Sequence, residues 1–593
     1  MAAYYLFLIA SHLTFISPSA ARANTTSVAS RAEKMLKLMT LGDKLSMMRG
    51  SLGDYVGNID GNSRLGIPAI GMQDGPQGFR ITKKTGEEGS STAWPSSLNI
   101  AASFDSQLAN LWATAMAVEF VKKGSNMQLA PGLGIARVPT AGRNFEYLCG
   151  EDPVLGSLLA HEVVKGIQSQ GIIANAKHFI NNEIETDRMT VSADVSERTR
   201  FQLYYPPFQA AIDAGVLSVM CSYNRVNGDH ACQNNETLED LRDELGFTGW
   251  VLSDWFATHS TVTSVRAGLD QELPVGLFLS ETALTLALDL GEIHVADIDR
   301  SVLRILTAMY TIGLFDRADV VPGDPLADVT SDEHSALARE IAGRSIVLLK
   351  NSKSLLPINR RRLKRVAVFG DETTVSGEGS GHVTPRHGHS VTATEGISSA
   401  LIGLNVTVEY FKPSSSDKDQ VLKDAAEFAR SCDIAVVVVA TTSCEGYDRP
   451  SLELGGGQND LVTAVLSGNS RTVVMVHSPG AALMPWATDA SAILVGWMPG
   501  EQAGNALADV IFGSVNPSAR LPLTMPNKDN EIEFTKEQFP GVGSPPIANY
   551  SEGLLVGYRF DLLSSVIVHV LASGISFDKS WLHSRVFISF PLL

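Results

Sequence analysis

Basic residues, cysteine and long apolar runs are all scarce in this 593-residue chain. Lys and Arg number 47 against 64 Asp and Glu, a formal charge of −17. That deficit argues against the basic surface with which a protein holds nucleic acid or an anionic membrane, and leaves small neutral or cationic molecules as partners. Five cysteines are too few for a disulfide scaffold. Outside the amino terminus no stretch approaches the roughly 20 apolar residues of a membrane span. There is no C-x-x-C and no H-E-x-x-H, so the sequence supports no metal site and implies no cofactor. Ser376-Gly-Glu-Gly-Ser-Gly381 looks like a phosphate cradle, but His382-Val383 follow it instead of Lys-Ser/Thr, which excludes a P-loop. No tandem repeat of short period is present. What remains is ordinary globular composition, 44% hydrophobic and 19% charged, with length enough for two large domains or about four ordinary ones.

The amino terminus reads as an address. Residues 4–17 are apolar and Ala21-Arg22-Ala23 follows, the pattern of a secretory signal peptide (1–23) cleaved after Ala23, with no membrane attachment afterwards. The n-region has no Lys or Arg, and a membrane anchor is the other reading of the run, which is short for a span. Export to an oxidising compartment gives meaning to cysteines and sequons. Cys221 and Cys232 flank turn-like residues and have the spacing to close a small loop, while Cys149, Cys432 and Cys444 read as small buried apolar residues. Acceptor sequons stand at Asn24, Asn235, Asn405 and Asn549, and Pro517 excludes Asn516.

The chain divides into two α/β halves and a tail. Residues 24–318 alternate short apolar strands with helical patterns, including a helix over 196–213 that Ser196 can cap. Nearly 300 residues of such alternation predict a (β/α)8 TIM-like barrel, whose chemistry sits at the carboxyl ends of its strands. Lys177, His178, Tyr223 and Asp254 fall at such ends. Residues 319–345, rich in Asp and Pro, read as a linker. A second alternation over 346–560 predicts a doubly wound α/β sandwich domain, with Asp433 to Ala440 as a buried parallel strand and Glu445 just beyond it.

The carboxylates carry the sharpest chemistry. Asp254 closes an apolar strand and precedes Trp255, and an indole beside a carboxylate suits a sugar ring. A helix-cap or hydrogen-bonded structural Asp is the other reading. Glu445 stands on a glycine-containing loop, where a plain surface Glu is the alternative. Lys177 and His178 can hydrogen-bond hydroxyls, although a lone His is more often structural.

Taken together, the motifs resemble the family 3 glycoside hydrolases, and most of all their secreted β-glucosidases. In chain order they are Asp74-Gly-Pro-Gln-Gly-Phe-Arg80, Gly142-Arg-Asn-Phe-Glu146 with Gly150-Glu-Asp-Pro153, Lys177-His-Phe179 with Asn182, Glu185 and Arg188, Met220-Cys-Ser-Tyr-Asn224, Gly249-Trp-Val-Leu-Ser-Asp-Trp255, Gly268-Leu-Asp270, Glu445-Gly-Tyr-Asp-Arg449, and Asn516-Pro-Ser518 with Leu521-Pro-Leu523. The resemblance implies Asp254 as nucleophile and Glu445 as acid/base from the second domain. It implies Asp74, Arg143, Lys177, His178 and Tyr223 as the grip on the sugar, Arg80, Arg188 and Trp255 as outer or wall positions, and Ser380 as a reach from the second domain. It also implies a Cys221–Cys232 disulfide. The reaction it implies is retaining hydrolysis of terminal β-D-glucosyl residues from β-glucosides such as cellobiose, in which two neighbouring carboxylates drive the pKa of the acid upward.

Local residues choose a branch by the same resemblance. Ile180-Asn-Asn-Glu follows Lys177-His-Phe where the N-acetylglucosaminidases have Pro-Gly-His-Gly, and Trp255 stands where β-xylosidases often have Cys. A β-xylosidase or broad exo-β-glycosidase is the neighbouring alternative. By the resemblance a Phe-Gly-x-Gly-Leu-Ser-Tyr segment is expected after Arg559, but residues 562–593 do not read as one, and no fibronectin-like domain is apparent. Residues 561–593 are apolar and atypical, as expected of a truncated or mis-spliced reading frame. A sugar-binding relative with impaired catalysis is the alternative that this tail raises.

Overall fold

The chain is described here by a computed structural model covering residues 18–560 save 82–88, 318–322, 373, 375, 378–382, 384 and 386–387, and without side chains for 18–27. The apolar amino-terminal run, Ser380 and the tail 561–593 lie outside the described residues. The expected cleavage position after Ala23 falls within the helix Pro18–Leu38, which packs along the helix Val295–Thr311. Among the described residues no helix is long and apolar enough to cross a membrane.

The first domain is a closed barrel. Its strands β1 (Gly57–Ile59), β2 (Ile70–Gln73), β3 (Met127–Gln128), β4 (Ile173–Phe179), β5 (Ser218–Cys221) and β6 (Trp250–Ser253) pair in that order. Single bridges complete the ring, since Leu252 pairs with Gln271 and Arg49 with Glu272, and the Ser51 N–H donates to Asn58 O at 2.9 Å. Eight strand positions therefore surround the core, as the alternation predicts. The repeat is not strict: β1 runs antiparallel to β2, because the short connection between them cannot hold the crossover of a dozen or more residues that a parallel pair needs. The helical stretch after Ser196 is present as well. Ser196 caps it, Arg200–Tyr204 forms a π-turn, and Pro206 opens the helix Pro206–Asp213.

The second domain is a six-stranded sheet. In chain order its strands are β7 (Val347–Asn351), β8 (Arg365–Gly370), β9 (Thr407–Tyr410), β10 (Ile434–Ala440), β11 (Thr472–His477) and β12 (Ala492–Val495). Spatially they run β7-β12-β11-β10-β8-β9, parallel except for β7. Strand β10 explains the unbroken apolar run. Val436 and Val438 enter one core, Val437 and Val439 the other, so both faces are dry, as covered parallel sheets require.

Residues 332–345 depart from the linker expected of 319–345. They form the helix Asp332–Ser345, which sends Ala338 and Ile341 into the core shared with the barrel and Ala342 into that of the second domain. The acidic residues that suggest a linker are a helix start. Ser331 caps the His334 N–H, and Asp332 and Glu333 sit in the first turn, where the helix dipole favours negative charge. Buried side chains then join the domains. Asn99, wholly buried, donates to Ser345 Oγ at 2.8 Å and Gly496 O at 2.9 Å and accepts from the Met498 N–H at 3.1 Å.

The chain finally returns to the barrel. Pro546–Asn549 pairs in parallel with Ser192–Asp194. Arg137, buried, pairs with Glu552 at 2.5 Å and lies over the Tyr550 ring at 3.7 Å. The Tyr550 hydroxyl donates to Glu183 Oε2 at 2.9 Å. Burial pushes the Glu183 carboxyl up to about 8 from its ordinary 4.5. Between those values the folded chain keeps a proton that the unfolded chain releases, so stability falls as pH rises from about 4.5 to about 8. In Glu183→Gln, unfolding free energies from denaturant titrations between pH 5 and 8 should fall less steeply with pH, by up to about 1.4 kcal/mol per pH unit.

Candidate functional site

The barrel strands deliver their polar residues to one mouth. Asp74 follows β2, Lys177 and His178 end β4, Tyr223 lies two residues beyond β5, and Asp254 directly follows β6. Cys221 and Cys232 form a disulfide with Cα atoms 5.2 Å apart, which ties the end of β5 beneath Tyr223. Arg143 comes from the loop between β3 and β4. Glu445 comes from the second domain, five residues after β10.

Asp254 sits at the floor, 5% exposed. The Trp255 N–H donates to its Oδ1 at 2.8 Å, Tyr223 hydrogen-bonds the carboxylate, and His178 Nε2 lies 3.5 Å from Oδ2. Burial raises the carboxyl to about 6, with Arg143 opposing and the nearby Glu445 adding to the rise. His178 stays a neutral imidazole, since burial, Arg143 and Lys177 hold it well below its ordinary value. Its Nδ1 lies 3.3 Å from the Tyr147 hydroxyl.

One wall is an ion network. Lys177 Nζ lies 3.1 Å from Asp74 Oδ1 and 3.2 Å from Glu146 Oε1. Arg80 Nη1 lies 3.2 Å from Asp74 Oδ2. Arg143 and Glu146 form a two-point pair at 2.8 Å for each bond. Glu146, the last residue of the Gly142–Glu146 motif, completes the network although the resemblance assigns it no role. A 3-10 turn over Asn144–Glu146 brings it beside Arg143.

Glu445 closes the opposite side. Its Oε1 lies 3.0 Å from Arg188 Nη1 and 3.8 Å from Arg143 Nη1. The Arg188 guanidinium stacks 4.5 Å over Tyr223 and also binds Glu185 at 2.7 Å. This arrangement corrects one expectation. Burial pushes the Glu445 carboxyl up, but Arg143, Arg188 and Lys177 outweigh it and hold the group below its ordinary value. Of the two, Asp254 and not Glu445 is the carboxyl whose pKa rises.

Close approach of the two loops depends on Gly142. A Cβ there would stand 2.0 Å from Tyr447 O, and Gly142 O accepts from Ser443 Oγ at 2.5 Å. Trp255 is half-buried against Gly57, where an added Cβ would lie 3.3 Å from the indole. Cys149 and Cys432 are buried as expected, whereas Cys444, beside Glu445, is partly exposed. The ten expected positions other than Ser380 thus meet around one opening. Among the described residues no group of three or more His, Cys, Asp or Glu is placed to hold a metal ion.

Comparison with known proteins gives the family. Residues 48–308 match the glycosyl hydrolase family 3 N terminal domain, and residues 346–558 match the glycosyl hydrolase family 3 C-terminal domain. The chain is 35% identical over 564 residues to a probable beta-glucosidase L of Aspergillus terreus, covering 88% of this chain and 75% of that one. It is 33% identical to thermostable beta-glucosidase B of Acetivibrio thermocellus, covering 92% and 72%. A solved structure of DesR, a beta-glucosidase from Streptomyces venezuelae in complex with D-glucose, superposes with a TM-score of 0.83 at 28% identity, covering 90% of this chain and 83% of that one. With both domain signatures in order and the strand-end residues gathered at one mouth, the chain belongs to glycosyl hydrolase family 3.

Proposed function

We propose that the chain is a β-glucosidase that removes terminal β-D-glucosyl residues by double displacement. Residues 24–318 form its catalytic barrel and 346–560 the domain that supplies the acid/base. The observation that carries this reading is the meeting of Asp254 and Glu445, from different domains, beside one cation, Arg143. Asp254 attacks the anomeric carbon while Glu445 gives its proton to the departing oxygen. Glu445 then takes a proton from water, and that water displaces Asp254 from the sugar. Asp74 accepts from sugar hydroxyls, Lys177 and neutral His178 donate to others, and Arg143 steadies both carboxylates. Arg80 holds Asp74, Arg188 holds Glu445, and Trp255 forms a wall. The disulfide and the exposed sequon residues Asn235, Asn405 and Asn549 support an extracellular setting for the enzyme.

The pKa order of the two carboxyls has a kinetic consequence. The productive form needs Asp254 ionised and Glu445 protonated, the minority arrangement of the single proton that the pair shares at intermediate pH. Both carboxyls are ionised above the higher of the pair's two pKa values, and the acid is then absent. We expect kcat/KM for an aryl β-glucoside to be bell-shaped with its alkaline limb near about 6. An alkaline limb beyond pH 8 would contradict this electrostatic account.

The direct test is glucose release from an aryl β-glucoside, with the β-xyloside in parallel. The native chain should favour the glucoside. Asp254→Asn should lower kcat by more than about a thousandfold, roughly 4 kcal/mol of transition-state stabilisation, with the melting temperature unchanged or raised because a buried charge is gone. Near-native turnover by that variant would overturn the proposal.

A further inference from the structure

The loop that carries Glu445 is fastened to the barrel at a second carboxylate. Asp448 Oδ1 accepts from the Gly142 N–H at 3.1 Å and the Glu185 N–H at 2.9 Å. Its Oδ2 accepts from the Thr186 N–H at 2.9 Å and the Thr186 hydroxyl at 2.7 Å. All four donors belong to the barrel domain, and Asp448 belongs to the other. The same barrel segment reaches back twice more. Glu185 accepts from the Gly446 N–H at 2.7 Å, and Arg188 holds the Glu445 carboxylate at 3.0 Å. Residues 185–188 and 445–448 thus clasp each other, and three of the bonds fix backbone that a flexible surface loop would leave to water.

We propose that Asp448 is a positioning residue for the acid/base step: it sets where the Glu445 loop lies on the barrel and thereby aims the Glu445 carboxyl at the departing oxygen. The proposal rests on the reading of Glu445 as acid/base. An ionised carboxylate suits this task because it offers acceptors only, two per oxygen, to four converging donors. Asn keeps the shape but turns an NH2 group toward N–H donors, so half of the fastening is lost. Proton donation depends on hydrogen-bond reach to one atom, whereas Asp254, Asp74, Lys177 and His178 sit at barrel strand ends and make no bond to Asp448. Loss of Asp448 should therefore injure one chemical step selectively.

The test uses that selectivity on the full chain. Asp448→Asn, the milder Thr186→Val, and Glu445→Ala as reference are assayed with 2,4-dinitrophenyl β-glucoside, whose phenolate departs without a proton, and 4-methoxyphenyl β-glucoside, whose phenolate needs one. Asp448→Asn should lose about a hundredfold in kcat/KM on the methoxyphenyl substrate and less than about threefold on the dinitrophenyl substrate. Thr186→Val should show the same split at about fivefold. Azide should raise kcat of Asp448→Asn on the dinitrophenyl substrate. Its nitrogen bonds to the anomeric carbon, the Asp254 carboxylate leaves with the electron pair, and no base is needed. The product is then β-glucosyl azide. If Glu445→Ala shows the split and both other variants lose activity equally on the two substrates, Asp448 is a structural residue only and the proposal is overturned while the acid/base reading stands. If Glu445→Ala itself shows no split, that reading fails and this proposal with it. Should Asp448→Asn not fold, Thr186→Val decides by the same ratio.

Discussion

The site depends on one constraint: the second domain must be seated on the barrel so that Arg188 and Arg143 can reach Glu445. The other described residues of the site are all on the barrel. Asp74, Glu146, Glu185, Asp254 and Glu445 would repel one another without Arg80, Arg143, Lys177 and Arg188 among them. A buried ion pair with one partner withdrawn costs several kcal/mol, so an undocked second domain would leave the barrel mouth electrostatically unbalanced. The same charges that organise the site also hold the two domains together.

Docking is built from buried polar groups as much as from apolar packing. Asn99 and the Asp332–Ser345 helix join the two cores, and Glu501 accepts from the Ala93 N–H at 3.1 Å and from Ser335 Oγ at 2.5 Å. Buried groups of this kind are satisfied only when the partner domain is in register, because each leaves a costly unmatched donor or acceptor otherwise. The returning segment 546–552 adds a third attachment through Arg137, Tyr550 and Glu183. It bonds to the loop after β4, the same loop whose residues 185–188 hold Glu445.

Much of this arrangement was legible in the sequence. Strand ends such as Lys177-His178 and Asp254 are readable because an apolar run that stops at a polar residue marks the carboxyl edge of a parallel strand. The double-faced run 434–440 announces a covered sheet. Ten of the site residues read by resemblance, all but Ser380, come together at the barrel mouth. Pairings between distant loops were not legible. Nothing in the spacing of Asp448 and Thr186 says that they touch, because only the domain interface brings them together, and Glu146 meets Lys177 only through the folding of the loop after β3 back onto β4. The pKa order was missed for the same reason. Two carboxylates in a sequence suggest mutual repulsion, but the cations that settle which one rises come from three other segments. The helix after Ser331 was hidden by residues that serve turns and helix caps equally well.

On the proposed mechanism, Asp254 is the group that bonds to the sugar once the two domains are docked. The direct measurement is to incubate the chain with 2,4-dinitrophenyl 2-deoxy-2-fluoro-β-glucoside, digest it and map the mass increment. A single fluoroglucosyl label on the peptide containing Asp254, with one equivalent of dinitrophenolate released, is the predicted result. A label on Glu445 or on another carboxylate, or steady hydrolysis with no covalent adduct, would contradict it.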